Sequence, residues 1–231
     1  MTGYVIPQPA QASVAVAGTA DRFPVRRIFC VGRNYVAHVR ELGNDEREPP
    51  FFFTKPADAA VDSGATIPYP PLTTNYHHEI ELVVAIGKDG SNIPREAAAA
   101  HVYGYGVGID FTRRDLQEDA KAMRRPWDWS KAFDQSAACG PLARAADIGH
   151  PETGRIWLSI NNAMRQDADL GEMIWRTPDI VAFCSQSVEL KAGDLIFTGT
   201  PAGVGAVVAG DRLSGGIDGI GTIDVTIGPA A

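Results

Sequence analysis

Cysteine is scarce in this chain: Cys30, Cys139 and Cys184 are three residues spread widely over 231. An odd number at such separations is neither a disulfide framework nor a zinc-knuckle pattern, and it points to a reducing compartment, the cytoplasm. No apolar run approaches the roughly 18 residues of a membrane span, so no membrane partner is expected. Lys and Arg are missing from the first 21 residues, which leaves no secretory or transit-peptide signature in view. Positive charge is also outweighed overall. The 21 Lys and Arg against 28 Asp and Glu give a net charge of −7, the wrong sign for a nucleic-acid surface. There is no Gly-x-Ser-x-Gly elbow, and Cys184 and Ser185 have no evident triad partners, which disfavours covalent catalysis. The Gly-rich run from Thr198 to Gly205 lacks the Gly-Lys-Ser/Thr ending of a P-loop, and Gly104, Gly106 and Gly108 are wrongly spaced for a dinucleotide fingerprint.

Regular alternation of strands with long helices is lacking too, which argues against a doubly wound parallel sheet. Short β-rich stretches recur instead at Ile28 to Val31, Phe51 to Thr54, Ile80 to Ile86, Ile156 to Ile160, Leu195 to Thr198 and Thr222 to Ile227. Helices are expected at Tyr35 to Leu42, Arg95 to Ala100, Thr112 to Met123 and Pro178 to Ser187. Pro178 and Asp179 suit the first turn of the last one. The fold class is therefore mainly β with short peripheral helices (α+β). Residues 1–23 read as an N-terminal arm, and 24–231 as a single domain.

What is present is acidic and well placed. Glu79 and Glu81 sit at the entrance to the apolar run Leu82 to Ile86. Strand side chains alternate, so both point the same way. Two carboxylates side by side repel, and a divalent cation is the simplest compensation. Asp110 closes another apolar, Gly-rich strand and precedes a helix expected to open through Thr112. Glu, Glu and Asp would form an all-oxygen site suited to Mg²⁺ or Mn²⁺, with Ca²⁺ also allowed, and unsuited to zinc or copper. Surface acids at strand ends, with Asp110 as a helix cap, are the plainer alternative.

His38 and Glu41 are three apart and would share a helix face. A carboxylate beside an imidazole fixes its tautomer and raises its basicity, as a general base for water requires. A solvated helix pair would look the same. Lys131 lies among Trp127, Trp129 and Phe133, either as a snorkelling surface lysine or as an anion-binding group. The amides of the 198–205 loop could cradle a carboxylate or make a plain tight turn.

Taken together, five stretches in order resemble the fumarylacetoacetate hydrolase family: Cys30-Val31-Gly32-Arg33-Asn34-Tyr35 with His38 and Glu41; His78-Glu79-Ile80-Glu81-Leu82; Asp110 through Arg114-Asp115-Leu116-Gln117; Lys131-Ala132-Phe133; and Thr198 to Gly205. The likeness spans roughly residues 25 to 228. It implies a mixed β-roll and a homodimer, with Glu79, Glu81 and Asp110 as metal ligands. It also implies His38 and Glu41 as a water-activating dyad, with Lys131 beside metal and substrate. Gln117, Gly199, Thr200 and Arg33 are implied as substrate contacts. Within the family, Arg47 to Phe53, Asp115 to Gln117 and Gly205 to Asp211 are most similar to the members that cleave fumarylpyruvate in gentisate degradation. The expected activity is hydrolysis of a C–C bond in a β-diketo acid, giving fumarate and pyruvate. Acylpyruvate hydrolysis and oxaloacetate decarboxylation are the alternatives on the same scaffold. A fumaryl group carries a second carboxylate, for which Arg33, Arg40, Arg124 and Arg125 are candidates. Glu41 to Pro50, polar and ending in Pro-Pro, is either a lid or an ordinary loop.

Overall fold

The computed structural model describes residues 3–35 and 49–230. His38, Arg40, Glu41 and most of the expected lid lie outside the described residues.

The run Ile80–Ile86 is buried along its whole length. A strand without polar alternation must be covered on both faces, and this one is. Leu82, Val84 and Ile86 enter one apolar core with Phe29, Val31, Val107 and Ile109. Val83 and Ala85 enter a second core with Ile28, Cys30, Leu195 and Phe197. Part of that second core comes from the chain start. Ser13–Ala15 and Arg22–Pro24 pair as an antiparallel hairpin and supply Val14 and Phe23, with Val16 just after the first strand.

Around this strand an eight-stranded mixed sheet forms in the order Phe52–Lys55, Arg27–Val31, Asp194–Phe197, Ile80–Ile86, Val102–Asp110, Ala137–Cys139 and Ala60–Asp62, with Ala143–Arg144 also paired to Val102–Asp110. Two of its pairings are parallel, Asp194–Phe197 with Arg27–Val31 and Ala137–Cys139 with Ala60–Asp62. A five-stranded sheet of Ala163–Asp169, Arg155–Ile160, Arg212–Ile217, Gly221–Ala230 and Thr66–Tyr69 packs beside it. The main sheet curls into a half-barrel, as the β-roll expectation required. Among the described residues no helix is long and apolar enough to cross a membrane.

The glycines of Val102–Asp110 are there for space. A Cβ on Gly104 would meet the Ala143 carbonyl oxygen at 2.3 Å, and one on Gly108 would meet Val83 Cγ2 at 2.5 Å and Phe197 Cε1 at 2.6 Å. Gly108→Ala should therefore destabilise by overpacking, by about 1–3 kcal/mol. An unchanged urea midpoint would contradict this contact.

All six expected strands form, with ends shifted by a residue or more at most of them. Helices differ more. The one expected from Thr112 begins at Arg114 and ends at Ala122, because Thr112–Arg113 pair instead with Tyr76–His78 as a strand. Arg95–His101 is a 3-10 helix. It follows Pro94, whose carbonyl accepts the Ala97 N–H at 2.9 Å. Thr177–Ser187 is helical as read from Pro178, and Asp179 accepts the Arg176 N–H at 3.2 Å. The expected helix from Tyr35 lies outside the described residues beyond its first position.

Candidate active site

Three chain segments leave the large sheet at one corner. Ile80–Ile86 is preceded by Glu79 and then by Tyr76–His78, which belongs to a separate three-stranded ribbon with Thr112–Arg113 and Gly205–Ala206. Val102–Asp110 passes through Phe111 into the same ribbon. Asp194–Phe197 runs into Thr198 and Gly199. The Asp110 N–H bonds the Glu79 carbonyl at 2.9 Å and locks two of these exits together. This change of sheet gathers the acids. Ligand atoms of Glu79, Glu81 and Asp110 lie within 4.8 Å of one another, and all three residues are buried.

Buried carboxylates require partners. Lys131 Nζ donates to Glu79 Oε2 at 2.8 Å, to Asp110 Oδ2 at 2.7 Å and to Thr112 Oγ1 at 2.6 Å. An ammonium has three donors, so all are engaged. Burial works against the Lys131 charge, but the Asp110 and Glu79 carboxylates outweigh it and raise its pKa. Arg114 pairs with Glu79 Oε1 through Nη2. Lys55, fully buried, places Nζ 2.8 Å from Asp110 Oδ1. It donates to the carbonyls of Phe111, at 3.1 Å, and of Lys131. Two of its three donors thus go to carbonyls, and Asp110 Oδ1 faces the ammonium as an ion-pair partner.

Glu81 is treated differently. Its one hydrogen bond among the described residues comes from the Gly199 N–H, at 2.7 Å to Oε2. Burial, then the Asp110 and Glu79 charges, push its pKa well above the carboxylate range. An under-compensated Glu81 carboxylate and an all-oxygen donor set fit a hard divalent cation such as Mg²⁺ or Mn²⁺.

Gly199 has φ +94°, and a Cβ there would lie 2.8 Å from Asn34 Cβ. Only glycine brings this amide to Glu81 without strain. Asn34 is itself fixed, donating to the Trp175 and Thr198 carbonyls at 2.8 Å each. Thr200 Oγ1 accepts from Gln166 Nε2 at 2.8 Å, and the same amide reaches the Pro201 carbonyl at 2.9 Å. A carbonyl only accepts, so the Gln166 amide orientation is settled. Its Oε1 then accepts the Ile80 N–H at 3.1 Å and lies 3.0 Å from His78 Nδ1. His78 must therefore carry its proton on Nδ1. Burial lowers its pKa, and Nε2 has no partner among the described residues, which describes a neutral imidazole. Gln117 Oε1 accepts from Arg114 Nη1 at 2.6 Å.

The structure therefore brings Glu79, Glu81, Asp110, Lys131, Gln117, Gly199 and Thr200 to one corner. Arg33 is nearby and partly buried, its guanidinium carbon 5.5 Å from the Phe51 ring centroid. Lys55, Thr112 and Gln166 were not singled out from sequence. Lys55 could have been, since a lysine continuing the apolar run Phe51-Phe52-Phe53 is a candidate buried cation. Gln166 had no signal: it lies in the polar stretch Met164-Arg165-Gln166-Asp167. A pocket of about 420 Å³ opens beside the cluster, lined by Phe51, Phe53, Arg125, Trp127, Asp128 and Lys131 among others.

Comparison with known proteins agrees with this picture. The family model described as fumarylacetoacetate (FAA) hydrolase C-terminal matches residues 27–228. A fumarylpyruvate hydrolase of a Ralstonia species is 45% identical over 79% of this chain and 95% of its own length. A mouse mitochondrial oxaloacetate tautomerase is 39% identical over 84% of this chain and 88% of its own. The crystal structure of a fumarylpyruvate hydrolase from Pseudomonas aeruginosa, in complex with Mn²⁺ and pyruvate, superposes with a TM-score of 0.96. It is 50% identical and covers 98% of this chain and 100% of its own.

Proposed function

The chain belongs to the fumarylacetoacetate hydrolase family, whose hydrolases and isomerases include its fumarylpyruvate hydrolase relatives, and from that premise we propose that it hydrolyses fumarylpyruvate to fumarate and pyruvate with a divalent metal. The observation that carries this reading is the buried convergence of Glu79, Glu81 and Asp110. Mg²⁺ or Mn²⁺ held by these three residues would supply Lewis acidity toward the oxygens of a 2-oxo acid. The Mn²⁺ and pyruvate bound by the Pseudomonas relative support both the ion and the pyruvoyl end.

The chain's own residues then divide the work. Lys131, with all three donors engaged, holds Glu79 and Asp110 in register rather than meeting substrate. Arg114 and Lys55 complete that frame. Gly199 orients Glu81, and Gln166 holds the Thr200 hydroxyl, whose proton is free to point at the substrate carboxylate. Gln117 and Arg33 are the remaining substrate contacts in this reading. His38, oriented by Glu41, takes a proton from water, and the hydroxide adds to the distal ketone carbon. The C–C bond breaks, its electron pair passes to the pyruvoyl fragment, and that fragment takes up a proton as pyruvate. The other fragment leaves as fumarate. Water is the only co-reactant, and the atoms balance. A homodimer and a cytoplasmic setting belong to the same proposal. Light scattering at the mass of one chain would remove the dimer.

The oxaloacetate tautomerase relatives favour a second reading, in which the same cluster acts on oxaloacetate without water attack. Steady-state turnover of fumarylpyruvate, acetylpyruvate and oxaloacetate, each with Mg²⁺ and with EDTA, separates the two. Fast Mg²⁺-dependent loss of fumarylpyruvate is expected. His38→Ala should lower that hydrolysis by about 10²–10⁴-fold, the usual worth of a general base. Undiminished turnover of oxaloacetate by the same variant, with fumarylpyruvate untouched by wild type, would replace the hydrolase reading with the second.

A further inference from the structure

One face of the helix Arg114–Ala122 leads outward from the acidic cluster. Arg114, Gln117 and Lys121 are spaced i, i+3 and i+7, so they share that face. Arg114 is on Glu79 and Gln117 is on Arg114. Lys121 stands seven residues beyond Arg114, about 10 Å along the axis. It is half-buried, and its Nζ lies 5.2 Å from the Trp127 ring centroid. Trp127 meets Phe51 edge-on, with centroids 5.3 Å apart, and Arg33 covers Phe51 from the other end. Phe51 and Trp127 are walls of the 420 Å³ pocket that reaches Lys131. Phe51 and Trp127 thus stand side by side beside the acidic cluster, with Arg33 against the first ring and Lys121 against the second.

Lys121 makes no ion pair or side-chain hydrogen bond among the described residues. Its surroundings are cationic. Burial comes first, then the charges of Arg114 and Arg33, and together they lower its pKa against the opposing pull of Glu79. Among the described residues Asp128 is the one carboxylate lining the pocket, and it forms no ion pair with Lys121. A half-buried ammonium held over an aromatic ring among like charges lacks an anion. The sequence suggested four arginines for a distal carboxylate. Of these Arg124 is exposed, Arg125 lines the pocket but is likewise exposed, Arg40 lies outside the described residues, and Arg33 lies against Phe51.

Resting on the functional reading above, we propose that Lys121 binds the distal carboxylate of the substrate and so selects acylpyruvates whose acyl group ends in an anion. The aromatic wall of Phe51 and Trp127 favours a flat, conjugated chain between the two anionic ends. Lys121→Met keeps the stem over Trp127 and removes the charge. The ratio of kcat/KM for fumarylpyruvate to that for acetylpyruvate, which ends in a methyl group, should fall at least about tenfold, through KM, as loss of a charge-assisted contact requires. Lys121→Arg should largely restore the ratio. Equilibrium binding of both acids with Mg²⁺, with Lys121→Met placed in a His38→Ala background, reads the same contact without turnover. If wild type hydrolyses neither acid, the functional reading fails while the binding comparison still decides Lys121. Parallel losses on both acids, or binding that does not distinguish them in either protein, overturns the proposal.

Discussion

Glu81→Gln is expected to abolish metal-dependent turnover while making the metal-free protein more stable. Glu81 is 1% exposed and, among the described residues, accepts a single hydrogen bond, from Gly199. Burial and two neighbouring carboxylates raise its pKa. A carboxyl whose folded pKa lies above its unfolded value binds more protons in the native state. Native stability is then greatest below the unfolded pKa and declines as pH rises toward the folded one. At neutral pH the charged form is a cost that metal binding would relieve. Glutamine keeps the shape and still accepts from the Gly199 N–H, while its amide donates toward the remaining carboxylates. The variant should therefore melt higher than wild type in EDTA and lack the pH decline. It should also lose the stabilisation that saturating Mn²⁺ gives wild type, about 2.7 kcal/mol at one hundred times Kd. Turnover should drop by at least about 1,000-fold, equivalent to roughly 4 kcal/mol of transition-state stabilisation. A variant that still gains stability from Mn²⁺ as wild type does would take Glu81 out of the metal site.

Gln166→Leu is expected to cost the largest stability of any uncharged substitution at this corner. The side chain is 1% exposed and joins four groups: Ile80 N–H, His78 Nδ1, Thr200 Oγ1 and the Pro201 carbonyl. Leucine fills a similar volume and satisfies none of them. The Ile80 N–H and the Pro201 carbonyl are then buried without partners, each at about 1–3 kcal/mol. A net loss of roughly 2–4 kcal/mol is expected from urea unfolding. The Thr200 hydroxyl is released as well, so KM for the keto acid should rise in the variant that still folds. A loss below about 0.5 kcal/mol, the level of an ordinary surface change, would mean that water replaces the amide and that the network is not structural.

These two positions divide what could be read along the chain from what could not. Glu81 sits inside an apolar β-branched run, where a charge is conspicuous, and its partner Glu79 follows from the two-residue strand period. The motif order around them carried the family. Gln166 and Lys55 depend on contacts that no local period encodes. Lys55 meets Asp110 across 55 positions of chain, and Gln166 meets Ile80 across 86.

The sequence by itself determined the buried strands, the acidic pair, the Gly-rich turn and the likeness to the fumarylacetoacetate hydrolase family, because hydrophobic runs and motif spacing are local properties. The tertiary structure decided the rest. It ended one strand at Asp110 and began the next at Thr112 where a helix was expected, because pairing with Tyr76–His78 overrode local propensity. It turned Lys131 inward onto two acids, set a second buried lysine behind Asp110, and aimed the Gly199 amide at Glu81. It also set Lys121 over Trp127 without an ion pair among the described residues. Charge compensation is a pairwise, through-space requirement, and only the folded chain shows which partners meet it.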